Sequence, residues 1–312
     1  MRLAFSPAFL AILLLLPRLA RAEVHVVACE PEWAALATEL GGGDVTVFAA
    51  YAGEQEPHRI KVGPHLVTAV QQADLLLCTG AGLEAGWLPQ LLQEAHNPRI
   101  QAGQPGHFLA ARHVAVLERP TRGDRPQGEA HPEGNPHIQT DPRNIARVAD
   151  ALVNRLIALD PGQADDYRFR HAAFVARWQG AMDRWEARAA ALRGTPVVTH
   201  DNSWVYLEQW LGLVPVATLE PSPGVPPTAA RLAKLLGDLQ ARKTQRARMV
   251  VRTPFNDPQP SEWLASRAGI PAVVLPFTIG GTPAARDLFT LFDDTLDRLR
   301  AAVGTSAFTW PP

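Results

Sequence analysis

The chain has 312 residues, 30 Lys and Arg against 31 Asp and Glu, and two cysteines. That balance gives no basic footprint for nucleic acid, and two cysteines cannot supply a zinc tetrathiolate. The length suits two packed lobes better than one core.

Residues 1–22 read as a signal peptide. Arg2 supplies the positive start, Phe9 to Leu16 the apolar run, and Ala20-Arg21-Ala22 the small-x-small cleavage signal. The run falls short of the roughly 20 residues a membrane-spanning helix needs. The mature chain is expected to begin near Glu23, in the periplasm, with a net charge of about −4 once Arg2, Arg18 and Arg21 are gone.

From there short apolar strands alternate with helices. Val24–Ala28 is a predicted strand, Pro31–Leu40 a helix stopped by Gly41-Gly42-Gly43, and Val45–Ala49 a second strand. A polar loop follows, then a helix over Pro64–Gln72 and a strand over Asp74–Cys78. Gly80-Ala81-Gly82-Leu83-Glu84-Ala85 fits a dinucleotide fingerprint, but no acid lies near position 105 to hold a ribose, so it reads as a tight strand-to-helix turn. Pro120 to Pro136 has no apolar periodicity and reads as a surface loop.

Asp141-Pro142 opens a helix to about Leu159, with Asp as N-cap and Pro in the first turn. Asp160-Pro161-Gly162 breaks it. Ala164 to about Leu192 then carries Phe174, Trp178, Met182, Trp185, Ala189 and Leu192 as one apolar stripe, the pattern of a long linking helix. Strands are predicted again at Pro196–Thr199, Val214–Leu219, Met249–Arg252 and Ala272–Leu275, and helices at Trp204–Leu211, 228–241, Glu262–Ala268 and Asp287–Ala302. The expected organisation is two doubly wound α/β lobes, 23–160 and 194–312, joined by a rigid helix over 161–193. Tryptophans such as Trp87, Trp204, Trp210 and Trp263 fall on helical stripes and read as packing. Cys29 and Cys78 each end an apolar run; an exported chain permits a disulfide, but two buried small hydrophobes is the simpler expectation.

Three histidines stand in loops after strand-like or proline-containing segments: Glu56-Pro57-His58, Asn135-Pro136-His137 and Val198-Thr199-His200. Ligands of doubly wound sheets bind beyond the carboxyl ends of the strands, and neutral imidazole is the commonest protein ligand for zinc. His58, His137 and His200 are therefore the expected metal ligands, reaching into one cleft from separate elements. His131 has two readings, a residue that delivers metal from its loop and, more simply, a solvated loop residue; His65, His96, His107, His113 and His171 read as surface or packing residues.

The chain resembles the metal-binding proteins that feed zinc or manganese ABC importers. The resemblance rests on Glu56-Pro57-His58, on Pro136-His137 with Thr140-Asp141-Pro142-Arg143-Asn144, on Trp210-Leu211-Gly212-Leu213 and on Glu220-Pro221-Ser222-Pro223-Gly224. It implies two lobes joined by a long helix, with Zn²⁺ as cargo on His58, His137 and His200. The expected partner is an inner-membrane ABC permease, with the chain a monomer, no nucleic acid and no enzymatic activity. The family's fourth ligand is an aspartate, whose place is taken here by Thr278 in Leu275-Pro276-Phe277-Thr278. Water, Glu54, Glu56, Asp201 or Glu220 are the candidates to fill that position, and Thr278→Asp is expected to tighten zinc binding. Two rival readings are a periplasmic zinc chaperone and a zinc hydrolase built on three histidines and a water. No H-E-x-x-H motif accompanies the latter.

Overall fold

The structure, a computed structural model, describes residues 23–119, 131–241 and 245–305. The expected signal peptide lies outside them, as does the first part of the 120–136 loop. The described strands form two four-stranded sheets, parallel throughout. The first has the order β2-β1-β3-β4, from β1 (Val24–Ala28), β2 (Val45–Ala49), β3 (Leu75–Cys78) and β4 (His107–Leu109). The second repeats it as β6-β5-β7-β8, from β5 (Pro196–Thr199), β6 (Val214–Thr218), β7 (Met249–Arg252) and β8 (Ala272–Val274). Each sheet therefore reverses its strand order beside its first strand, the place where doubly wound sheets open a crevice at their carboxyl ends.

Helices cover both faces. In the first lobe they are α1 (Pro31–Gly41), α2 (Pro64–Gln72), α3 (Leu88–Ala95) and α4 (Pro142–Leu159). The long α5 (Ala164–Ala189) links to α6 (Val205–Leu211), α7 (Ala229–Ala241), α8 (Pro258–Ala268) and α9 (Leu288–Thr305). Asp141 caps α4 as expected, accepting Arg143 N–H at 2.8 Å with Pro142 in the first turn, an arrangement that contributes about 1 kcal/mol. The sequence reading misses β4 and α3, and begins α8 four residues late.

One apolar core runs from the first lobe, along α5, into the second. On the stripe of α5, Phe174, Trp178, Trp185, Ala189 and Leu192 are buried, with Met182 partly so. Trp178 packs edge-on against Phe289, and Trp185 lies tilted against Phe292, ring centres 5.0 Å apart in both pairs. Each such buried ring stabilises the fold by roughly 1.5–3 kcal/mol. The linking helix is thus part of the common core. Two smaller cores fill the outer face of each sheet.

Cys29 and Cys78 correct the simpler expectation. They stand at the carboxyl ends of neighbouring β1 and β3, Cα atoms 4.7 Å apart, and form a disulfide. Parallel register brings the two strand ends level, so the side chains meet at the reversal point of the first sheet. No helix among the described residues is long and apolar enough to cross a membrane.

Candidate metal centre

Three imidazoles meet where the lobes face each other, and one of them is not among the three expected. His58, His131 and His137 each offer a ring nitrogen, all within 4.8 Å of one another. His58 Nε2 lies 3.3 Å from His131 Nε2, and the His137 ring stands edge-on to both.

Local structure aims each ring. His58 sits in the 3₁₀ turn Pro57–Arg59 after β2, capped by Glu56, which accepts the His58 backbone N–H at 3.3 Å. The same carboxylate lies 2.6 Å from His58 Nδ1. With the Nδ1 proton held there, the lone pair remains on Nε2, the atom turned toward His131. Behind the turn, Trp87 Nε1 donates to the Pro57 carbonyl at 2.8 Å. Gly86 packs so closely that a Cβ there would stand 2.8 Å from His58 O. His137 caps the 3₁₀ turn Ile138–Thr140 that leads into α4, and its N–H donates to Asn135 Oδ1 at 3.0 Å. Its ring is 3 % exposed, with Phe277 of the second lobe 5.2 Å away, edge to face. Burial, and then the nearby His58 and His131, hold its pKa well below the usual histidine value. It is therefore neutral at physiological pH, the form that binds metal. Its buried Nδ1 has no hydrogen-bond partner among the described residues.

His200 stands apart from this trio. It follows β5, its N–H donating to Val251 O at 2.8 Å, and its Nε2 lies 3.7 Å from Glu220 Oε1. Burial chiefly, with Arg252 adding to it, lowers its pKa, and its buried Nδ1 also has no hydrogen-bond partner among the described residues. The next residue, Asp201, lines the pocket between the lobes with Asn202, Ser203, Pro223, Gly224 and Phe255. Glu56, His58, His131 and His137 form the opposite wall. So the structure brings His58 and His137 together with His131, and leaves His200 beside the far wall. No periodicity marks His131; only its company of acids and prolines in a long loop set it apart. Of the remaining histidines, His107 pairs with Ile100 O and His171 with Asp150, both at 2.8 Å.

Of the four carboxylates expected as a fourth ligand, three already accept hydrogen bonds. Glu54 is exposed, and Glu56 holds His58. Asp201 accepts Ser203 N–H at 2.8 Å and the Asn256 amide at 3.1 Å, while Glu220 accepts Gly224 N–H at 2.7 Å. Thr278 donates its hydroxyl to Glu32 of the first lobe.

Glu32 belongs to a group of carboxyls that sequence reading overlooks: Glu30, Glu32 and Glu84 are all at most 2 % exposed. Glu84 accepts Thr79 and Gly80 N–H at 2.7 and 3.1 Å, fixing the turn in which Gly80 and Gly82 have positive φ (77° and 88°). Glu30 accepts the Thr79 N–H and hydroxyl, both at 3.0 Å. These partners are neutral, and burial raises all three carboxyl pKa values, Glu32 to about 7.

Two parallel lobes closing on an imidazole-lined cleft define a two-lobe solute-binding fold. The chain belongs to the family described as ZnuA, zinc-uptake complex component A, periplasmic, whose profile matches residues 26–302. Among curated relatives, the zinc-binding lipoprotein AdcA of Streptococcus pneumoniae is 24% identical over 201 residues, 63% of this chain and 39% of its own length. The chain thus spans about two-fifths of that relative. The manganese ABC transporter substrate-binding lipoprotein PsaA, also from Streptococcus pneumoniae, is 24% identical over 264 residues, 82% of this chain and 80% of PsaA. A crystal structure of ZnuA superposes with a TM-score of 0.73 at 21% identity, covering 90% of this chain and 99% of that one. A cadmium-bound periplasmic metal-binding protein from Candidatus Liberibacter asiaticus gives 0.68 at 18% identity, with 91% and 99% covered.

Proposed function

We propose that the protein captures a divalent transition-metal ion, Zn²⁺ first, in the cleft between its lobes and carries it to an ABC importer in the inner membrane. The observation that carries this reading is the convergence of three ring nitrogens within 4.8 Å. One of the rings is oriented by a carboxylate on its far nitrogen, and another is kept neutral by burial. Imidazole shells favour zinc over manganese, which prefers carboxylate oxygen. His58 and His137 are common to the expected and the observed sets. Either His131 or His200 completes three histidines, and both together complete four. The relatives support a metal cargo but include zinc and manganese proteins, so the donor set decides the metal in this reading. Export to the periplasm by residues 1–22 is part of the same proposal.

Competition of the purified chain against a chromophoric chelator, with Zn²⁺ and Mn²⁺ in parallel, tests it. The expected result is one Zn²⁺ per chain, bound at least about a thousandfold more tightly than Mn²⁺. Equal affinities, or a preference for Mn²⁺, would overturn the assignment of the cargo.

A further inference from the structure

The segment Phe277–Gly281 sits where the family's fourth ligand would come from; it packs on Trp204 and Phe255 of its own lobe and also reaches the first lobe. Phe277 lays its ring against His137, and Gln139 Nε2 donates to the Phe277 carbonyl at 3.4 Å. Thr278 donates to Glu32 on α1, across 246 residues of chain, with both side chains no more than 1 % exposed. Gly53, in the loop that leads to His58, meets the segment backbone to backbone; a Cβ there would overlap Ile279 O and stand 2.6 Å from Gly281 N. One short segment of the second lobe thus touches a metal-site ring, the approach to another, and a buried carboxyl.

We propose that Glu32 is a positioning residue, and that its bond with Thr278 latches the two lobes shut over the cargo. The inference rests on the capture reading above. The pocket takes its histidine wall from the first lobe and its Asp201–Phe255 wall from the second, so an ion leaves when the walls part. Other bonds cross the cleft on its far side, among them the Asn135 amide to Asn202 O at 2.9 Å and Tyr206 to Asn135 O at 2.7 Å. Those tie Asn135, in the loop before His137, to Asn202 and to Tyr206 at the start of α6. The Glu32–Thr278 bond instead ties α1, packed in the first core, to the segment that follows β8. Glu32 Oε1 has no hydrogen-bond partner among the described residues, so losing the hydroxyl removes the one side-chain partner that the buried carboxyl has among them. That penalty favours the parted state. The placement also gives Thr278 a role other than metal ligation: its hydroxyl donates to Glu32, and the residue is not among those lining the pocket.

The test compares Thr278→Val, which keeps the shape and removes the hydroxyl, with Thr278→Ser, which keeps the hydroxyl. Zn²⁺ release into excess chelator is followed by stopped flow, and the visible bands of Co²⁺-loaded protein report the histidine shell. Thr278→Val is expected to release Zn²⁺ about tenfold faster or more with its Co²⁺ bands unchanged, Thr278→Ser to match the wild type, and Glu32→Ala/Thr278→Val to be no faster than Thr278→Val alone. Wild-type release from Thr278→Val, or equally fast release from Thr278→Ser, would overturn the latch. If the wild-type chain takes up neither Zn²⁺ nor Co²⁺, the capture reading fails, and the latch is judged by small-angle scattering. A larger radius of gyration in Thr278→Val than in wild type and Thr278→Ser supports it, and an equal one overturns it.

Discussion

His131 and His200 divide the metal-site question at the level of single side chains. His58 and His137 have both a fixed backbone and a ring nitrogen in the cluster, so His137→Ala should lower Zn²⁺ affinity by at least about a hundredfold. His171→Ala should not change it, since that ring is bound to Asp150. Separate His131→Ala and His200→Ala variants, titrated against the same chelator, distinguish the sets. If the cluster seen here holds the ion, His131→Ala carries the larger loss; a larger loss from His200→Ala would return the shell to the set expected from sequence. Thr278→Asp also reads differently once the structure is known. A carboxylate at 278 meets Glu32, which burial already keeps near pKa 7, and two buried carboxyls in contact repel unless they share a proton. The substitution is expected to lower the melting temperature without tightening Zn²⁺ binding. Tighter binding would show that the 277–281 segment swings to the metal.

Elements carry the next group of effects. On α6, Glu208 is 9 % exposed, and burial, with Glu118 adding to it, pushes its carboxyl from 4.5 up to about 7. A raised folded-state pKa means that the native chain holds a proton the unfolded chain releases, so stability falls as pH rises between these values. The group's contribution is full below about pH 4.5 and lost once pH passes about 7. Glu208→Gln should therefore raise the melting temperature at pH 8, by the equivalent of roughly 1–3 kcal/mol, and leave it unchanged at pH 4. A gain of equal size at both pH values would assign the effect to packing. The elements themselves were largely legible in the sequence, because fully buried strands such as Leu75–Cys78 are unbroken apolar runs and the stripe from Phe174 to Leu192 keeps its spacing for about five turns. β4 escaped because three residues, His107–Leu109, are too short for any period to show. The disulfide escaped because pairing depends on strand register, which sequence spacing across 49 residues does not reveal.

For the whole molecule, the repeat of one strand order in two lobes sets where chemistry can sit. His58 and His200 follow strands, so their place at the carboxyl edge was legible from the alternation alone. His131 was not, since its neighbour His58 lies 73 residues away and no local pattern announces the contact. The buried Glu30, Glu32 and Glu84 were also hidden: in sequence they resemble surface acids, and only the closing of α1 and the 80–87 turn over them removes water. The central claim is that imidazole nitrogens from the interlobe cleft hold the cargo. X-ray absorption at the zinc edge of the Zn²⁺-loaded chain tests it most directly. The account predicts three or four imidazole rings at about 2.0–2.1 Å and no sulfur. A shell made only of oxygen, or a sulfur scatterer at about 2.3 Å, would contradict it.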